Sequence, residues 1–268
     1  MRGGKKWIGA GLAVVVIAIA AFVLAQGGGS GSSPLNAIAK AAEVTQREPG
    51  GHAEIEVHIT TSTGEGITES GSMTFDDNGK AEGALTAKIQ STGKEVEVTS
   101  ISSGTTAYMT SDAFGSLPGG KKWMEFDFSK AVEGQASPAP TQGTSPQEGL
   151  KILEHVDGVK KLGKEDVNGV PSTHFTGTFP ATEKVFGAKI DSSAPRVDVW
   201  VDAQDRVRRM KIATTTSVKE SEGPTHTEMT IDYTDFERVP KIEVPAADEV
   251  FDITGEIETK VQEEAEGN

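Results

Sequence analysis

The sequence predicts a mainly β (α+β) fold: a large curved antiparallel sheet, or half-barrel, of about ten strands with two or three helices covering its concave face. Three observations carry this expectation. Segment after segment alternates apolar and polar residues with a period of two, and clusters of Gly, Asn, Asp and Pro separate the segments. The 268 residues contain no cysteine, so the fold must rest on burial alone. A meander of so many hairpins twists too strongly to stay flat. One face of each strand is wet and the other apolar, so the helices have to cover the apolar one.

Taken in order, Trp7 to Ala25 form a nearly unbroken apolar run preceded by Arg2, Lys5 and Lys6. About 19 residues at ~1.5 Å each match a ~30 Å hydrocarbon core, and the cationic flank keeps the N-terminus cytoplasmic. Residues 1–26 are therefore expected to be a retained transmembrane signal-anchor that places the remainder outside the cytoplasm. The alternative is a signal cleaved after Ala25, which would give a secreted protein. Gly27 to Ser33 is a Gly/Ser tether of about 15 Å, and residues 34–255 form one domain.

Pro34 opens a helix in which Leu35, Ile38, Ala39 and Ala42 recur at helical spacing, and Pro49-Gly50-Gly51 stops it. In His52 to Thr60, Ala53, Ile55, Val57 and Ile59 then face one way, with His52, Glu54, Glu56, His58 and Thr60 facing the other. Gly71 to Phe75 and Ala81 to Ile89 follow around the turn Asp76-Asp77-Asn78-Gly79, a strong hairpin signal. Glu95 to Ile101, Thr105 to Thr110 and Trp123 to Phe128 complete the first half. Residues 134–143 are a Pro/Ala/Gln/Ser loop. Ser145-Pro146-Gln147-Glu148 is a capping box with Pro at the first helical position, opening a helix with Leu150, Leu153 and Val156 on one face.

The second half repeats the strand pattern. Val159 to Glu165 and Ser172 to Phe179 flank Asn168-Gly169, and a short helix is expected over Thr182 to Phe186. Arg196 to Val201, Arg206 to Thr216 and His226 to Phe236 follow. Residues 256–268, with Glu256, Glu258, Glu263, Glu264 and Glu266 against Lys260, are an acidic tail whose plain reading is a solvated end.

Charge narrows the function. The chain carries −14, and −17 once the three cations Arg2, Lys5 and Lys6 are set aside. Such an acidic body does not fit a nucleic acid or a broad dock on anionic lipid, both of which require clustered Lys and Arg. Catalytic signatures fail one by one. Gly115 to Lys122 matches Gly-x4-Gly-Lys, but Lys122 stands where a Mg²⁺-binding hydroxyl belongs and a strand follows instead of a helix. The five histidines lack metal-ligand spacing, since His52 and His58 on one strand face lie about 20 Å apart; they read as solvent-facing polar positions. Asp76 to Gly79 lacks the later acidic residues of a calcium loop. There is no Gly-x-Ser-x-Gly elbow, and only Trp123 and Trp200 outside the anchor could serve a sugar platform. The expectation is a non-enzyme with no catalytic residue, metal or cofactor.

Four stretches together resemble one family. They are Pro34-Leu35-Asn36-Ala37-Ile38-Ala39-Lys40-Ala41-Ala42; Gly119-Gly120-Lys121-Lys122-Trp123-Met124-Glu125-Phe126-Asp127; Leu150 to Val156 running into Val159 to Phe175; and Ile242-Glu243-Val244-Pro245-Ala246-Ala247-Asp248-Glu249-Val250-Phe251-Asp252. Their order resembles the LolA-like superfamily, and within it the LppX/LprG group of bacterial envelope lipoproteins. The resemblance implies a half-barrel around helices, lipid carriage through the envelope and no catalytic residues. The chain departs from the group in lacking the lipobox cysteine. An anchored protein of this kind suits handoff better than long-range shuttling.

The function expected is therefore a membrane-tethered extracytoplasmic binding protein for an apolar ligand, namely the acyl chains of a lipid or lipidated molecule. Candidate lining residues are Ile55, Val57, Ile59, Met73, Phe75, Leu85, Met109, Phe126, Phe175 and Phe179 from the strands, faced by Leu150 and Leu153. Plain core packing explains the same side chains, because core and lining use one alphabet. A non-catalytic sensor domain that binds an envelope protein partner is the alternative.

Overall fold

The computed structural model describes residues 33–64, 66–127, 129, 145–179, 184–185, 188–192, 194–218 and 223–255. The expected anchor, the 134–143 loop and the acidic tail lie outside them, as does the expected tether except for Ser33, which begins the first helix. Among the described residues no helix is long and apolar enough to cross a membrane.

Helix α1 (Ser33–Gln46) buries Leu35, Ile38, Ala41 and Ala42 along one stripe. Its last turn is fastened by side chains. The Thr45 hydroxyl donates to the Ala41 carbonyl (2.7 Å) and accepts from the Val207 N–H (2.8 Å). The buried Gln147 amide reaches the carbonyls of Thr45, Gln46 and Glu48 at 3.3, 2.8 and 3.2 Å, satisfying groups that a helix end leaves open.

Antiparallel hairpins follow: β1 (Gly50–Thr61), β2 (Gly66–Asp76), β3 (Ala81–Ile89), β4 (Lys94–Ser103), β5 (Thr106–Thr110) and β6 (Trp123–Asp127). After the helical turn comes β7 (Asp157–Val167), then β8 (Val170–Thr178), β9 (Lys184–Val185), β10 (Ala188–Ser192), β11 (Arg196–Val201), β12 (Val207–Val218), β13 (Thr225–Asp235) and β14 (Val250–Asp252). All fourteen belong to one sheet system, with twelve in the path β14-β6-β5-β4-β3-β2-β1-β13-β12-β11-β8-β7 and with β10 and β9 beyond it beside β12. Strand β1 is the seam, pairing with β2 on one side and with β13 on the other. Edge strand β7 carries the exposed charges Asp157, Lys160, Lys161, Lys164 and Asp166, which discourage further strand addition.

The sheet departs from expectation in three places. It has more strands than the ten expected, because β9, β10 and β14 are too short to show a period. It is not wholly antiparallel: β14 returns from the end of β13 and pairs parallel with β6. The helix expected over Thr182 to Phe186 is, where described, the strand pair Lys184–Val185 with Ala188 and Lys189.

The second helix is also shorter than its apolar spacing suggests. Only Pro146–Gly149 (α2) is α-helical, and Leu150–His155 winds on as a 3₁₀ helix. Gly149 is a weak helix former, and the tighter wind stacks Leu150 over Leu153 while also burying Ile152. Half of the capping box forms: Ser145 Oγ accepts from the Glu148 N–H (3.2 Å), whereas Glu148 Oε2 is buried without a partner. Ser145→Ala is therefore expected to lower stability by about 1 kcal/mol in urea unfolding, with Glu148→Ala adding no further capping loss.

Two apolar cores result. The larger joins α1, the 3₁₀ segment and the inner faces of β1, β2, β8 and β11–β13; the smaller contains Val98, Met109, Leu117, Met124, Phe126 and Ile253. Between them the chain coils tightly. A Cβ on Gly71 would sit 2.0 Å from the Ala84 carbonyl oxygen, and one on Gly83 would sit 2.2 Å from that of Ser72. Only glycine permits this approach.

Candidate functional site: the inner wall of the sheet

Because paired residues share a face, the register defines the wall. One row runs across eight strands as Phe175, Val199, Met210, Ile231, Ile55, Gly71, Leu85 and Val98. The next runs as Gly177, Val197, Ile212, Met229, Val57, Glu69, Ala87 and Val96. Every member but one is apolar or glycine.

The structure divides the predicted lining residues. Val57, Ile59, Met73, Phe75, Leu150, Leu153, Phe175 and Phe179 lie buried in the larger core, with Ile55 half-buried against it. Met109 and Phe126 belong to the smaller core instead. Leu85 is half-buried and sits in neither. The inward positions Ile55, Ile67 and Leu85 thus remain partly accessible at the stretch of wall between the cores. Met210, Ile212, Met229 and Ile231 also face inward, as the alternation of β12 and β13 requires, and extend the wall beyond the candidate residues.

Glu69 was missed altogether. It is 3% exposed, and its Oε1 has no hydrogen-bond partner. Burial pushes its carboxyl up to about 7. Its alternation with Ile67, Gly71, Met73 and Phe75 gives it the inner face, but glutamate is a surface residue by default and its residue type signals nothing of this burial.

The outer face is polar and also held surprises. His174, expected at the surface, is 7% exposed. Its Nδ1 meets Glu165 at 2.9 Å, its Nε2 meets Asp198 at 3.0 Å, and its ring stacks on Trp200 with centroids 4.1 Å apart. The Trp200 indole donates to the second Glu165 oxygen (2.8 Å). Beside this network lies a groove of about 730 Å³ lined mainly by Glu54, Glu56, Arg209, Lys211, Glu228 and Asp232. Its charges pair internally, Arg209 with Asp232 and Lys211 with Glu228 at 2.5 and 2.7 Å. Such a lining suits a polar partner and not an acyl chain. At one end of β1, the donor atoms of half-buried His52 and exposed Asp235 and Glu237 fall within 4.8 Å of one another, but three side chains fall short of the four ligands of a structural zinc site. Spacing along the chain hid this cluster, because its members come from strands 183 residues apart.

The family described as LppX_LprAFG lipoprotein matches residues 33–239. A protein of Streptomyces griseus, described as an uncharacterized 31.2 kDa protein in the rplA–rplJ intergenic region, is 30% identical over 166 residues. That match covers 53% of this chain and spans about half, 51%, of the relative. Among solved structures, the Mycobacterium tuberculosis lipoprotein LppX aligns over 80% of this chain and 100% of its own, at 16% identity and a TM-score of 0.47. LprF from Mycobacterium bovis aligns over 82% and 100%, at 12% identity and 0.43.

Proposed function

Since the chain belongs to the LppX_LprAFG lipoprotein family, a lipid-binding family of the cell envelope, we propose that it binds the acyl chains of a lipid outside the cytoplasm and hands them on within the envelope. The N-terminal segment would tether it to the membrane, and no catalytic step is involved. The observation that carries this reading is the uninterrupted apolar row across eight strands, whose middle members Ile55 and Leu85 stay half-buried. Fully packed core would cover them. A chain laid against them gains about 0.8 kcal/mol for each CH₂ removed from water, so a dozen methylenes supply roughly 10 kcal/mol to set against the costs of immobilisation. In this reading Ile55, Ile67 and Leu85 contact the ligand, whereas Phe75, Leu150 and Leu153 in the larger core and Phe126 in the smaller one are closed packing on either side.

The test is mass spectrometry of the full chain purified from its native membrane, natively and after organic extraction. Acyl species in near-stoichiometric amount are expected. A protein that arrives free of lipid and stays so after incubation with native lipids would end the carrier reading. One observation favours a second reading: the charged outer groove could dock a protein partner, as a sensor domain would. Stabilisation by a partner protein, with no lipid carried, would mark that case.

A further inference from the structure

The apolar wall contains one group that packing does not explain. Glu69 stands on the inner face of β2, opposite Val57 on one side and Ala87 on the other. The inward positions around it are Ile55 and Ile59 on β1, Leu85 and Ile89 on β3, and Ile67 and Gly71 on β2 itself. It is 3% exposed, and Oε1 has no hydrogen-bond partner. Among the described residues no ion pair reaches it. A wall built only for packing would use Leu or Val here, since an unpaired buried carboxyl opposes folding. The half-buried Ile55, Ile67 and Leu85 surround it on the accessible stretch, so a ligand lying against them comes within its reach.

We propose that Glu69 is the head-group contact of this wall, accepting a hydrogen bond from a hydroxyl or amine carried by an otherwise apolar ligand. The inference rests on the lipid-binding reading and sharpens it: the cargo is a donor-bearing amphiphile, and an anionic head is rejected. The raised pKa of the carboxyl, about 7, agrees with a site that awaits its partner.

The test is a competition. The full chain is incubated at about pH 8, where the carboxyl is charged, with equal amounts of hexadecan-1-ol, hexadecylamine, palmitate and hexadecane. Native mass spectrometry then counts what is bound. The wild type is expected to hold the alcohol and the amine about tenfold over hexadecane and palmitate. Glu69→Leu is expected to bind hexadecane as the wild type does, to lose the preference for the alcohol, and to melt no lower, because it removes an unpaired buried carboxyl. Glu69→Gln keeps an accepting oxygen and is expected to retain the alcohol. Equal binding of all four ligands by the wild type, or a preference for palmitate, overturns the proposal while leaving lipid binding intact. A Glu69→Leu protein that still prefers the alcohol overturns the assignment to Glu69. Failure of the wild type to bind any of the four removes the lipid-binding reading and this proposal with it. Should Glu69→Leu melt lower, Glu69→Ala, which adds no bulk, is judged by the same criteria.

Discussion

Replacing Asp202 by alanine is expected to cost about 3–5 kcal/mol of folding stability, a large share of what a domain of this size has to lose. The carboxylate is buried in the β11–β12 turn and all of its capacity is used. Oδ1 accepts from the backbone N–H groups of Gln204 and Arg206, both at 2.9 Å. Oδ2 accepts from Arg206 Nε at 3.0 Å and from Arg208 Nε at 2.8 Å. Both guanidiniums lie over the Phe236 ring, at 4.9 and 4.8 Å from its centre. Alanine would leave the buried Arg208 without a carboxylate partner, and Arg206 with only Glu48 at 3.9 Å. Urea unfolding measures the loss, and a change under about 1 kcal/mol would show that water reaches the site and replaces the carboxylate.

The same group sets an acid limb. Burial alone would raise the Asp202 carboxyl, but the Arg206 N–H, the Arg208 guanidinium and the Gln204 N–H outweigh it and hold the pKa below the usual carboxylate value. A folded-state pKa below the unfolded one means that the stabilisation is complete above about pH 4 and is lost as pH falls through the folded value. Asp76 and Asp198 are lowered likewise, by backbone N–H groups and by Arg196 respectively, against burial. Stability is therefore expected to fall steeply below about pH 4, and less steeply in Asp202→Ala.

Truncating Phe75 to alanine is expected to be comparably severe, about 3–5 kcal/mol. The ring is fully buried and meets Tyr233 edge-on at 6.1 Å. Tyr233 in turn donates to the Pro146 carbonyl at 2.5 Å, so this ring pair links β2, β13 and α2. A cavity left here cannot collapse without moving three elements. Leu85→Ala is the informative contrast. Leu85 is only half-buried and belongs to neither core, so its truncation is expected to cost under about 1.5 kcal/mol yet to reduce ligand uptake. Urea unfolding and lipid loading of the two variants separate support from lining. A loss at Leu85 as large as at Phe75 would mean that the wall is simply core.

Local chemistry made much of this architecture legible. The alternation of Ala53, Ile55, Val57 and Ile59 identified β1 and its inner face. Asn168 and Gly169, at φ 51° and 83°, form the two-residue turn that their residue types demand. Ser145 caps its helix as the box requires. In each case the deciding interaction lies within a few residues of chain. The parallel addition of β14 to β6 escaped, because its partner is 127 residues away. So did the 3₁₀ wind after Gly149, which the surrounding core imposes on a sequence with ordinary helical spacing.

The chain by itself determined the class: period-two segments, turn chemistry and the absence of cysteine leave a curled antiparallel sheet on an apolar face. Tertiary structure alone decided what that face offers. The sequence cannot distinguish Phe126 in a closed core from Leu85 on accessible wall, nor a solvated glutamate from Glu69 turned inward, because burial depends on partners that register and sheet curvature bring from distant strands. Position along one strand sets which side a residue faces; the strands beside it set what it meets there.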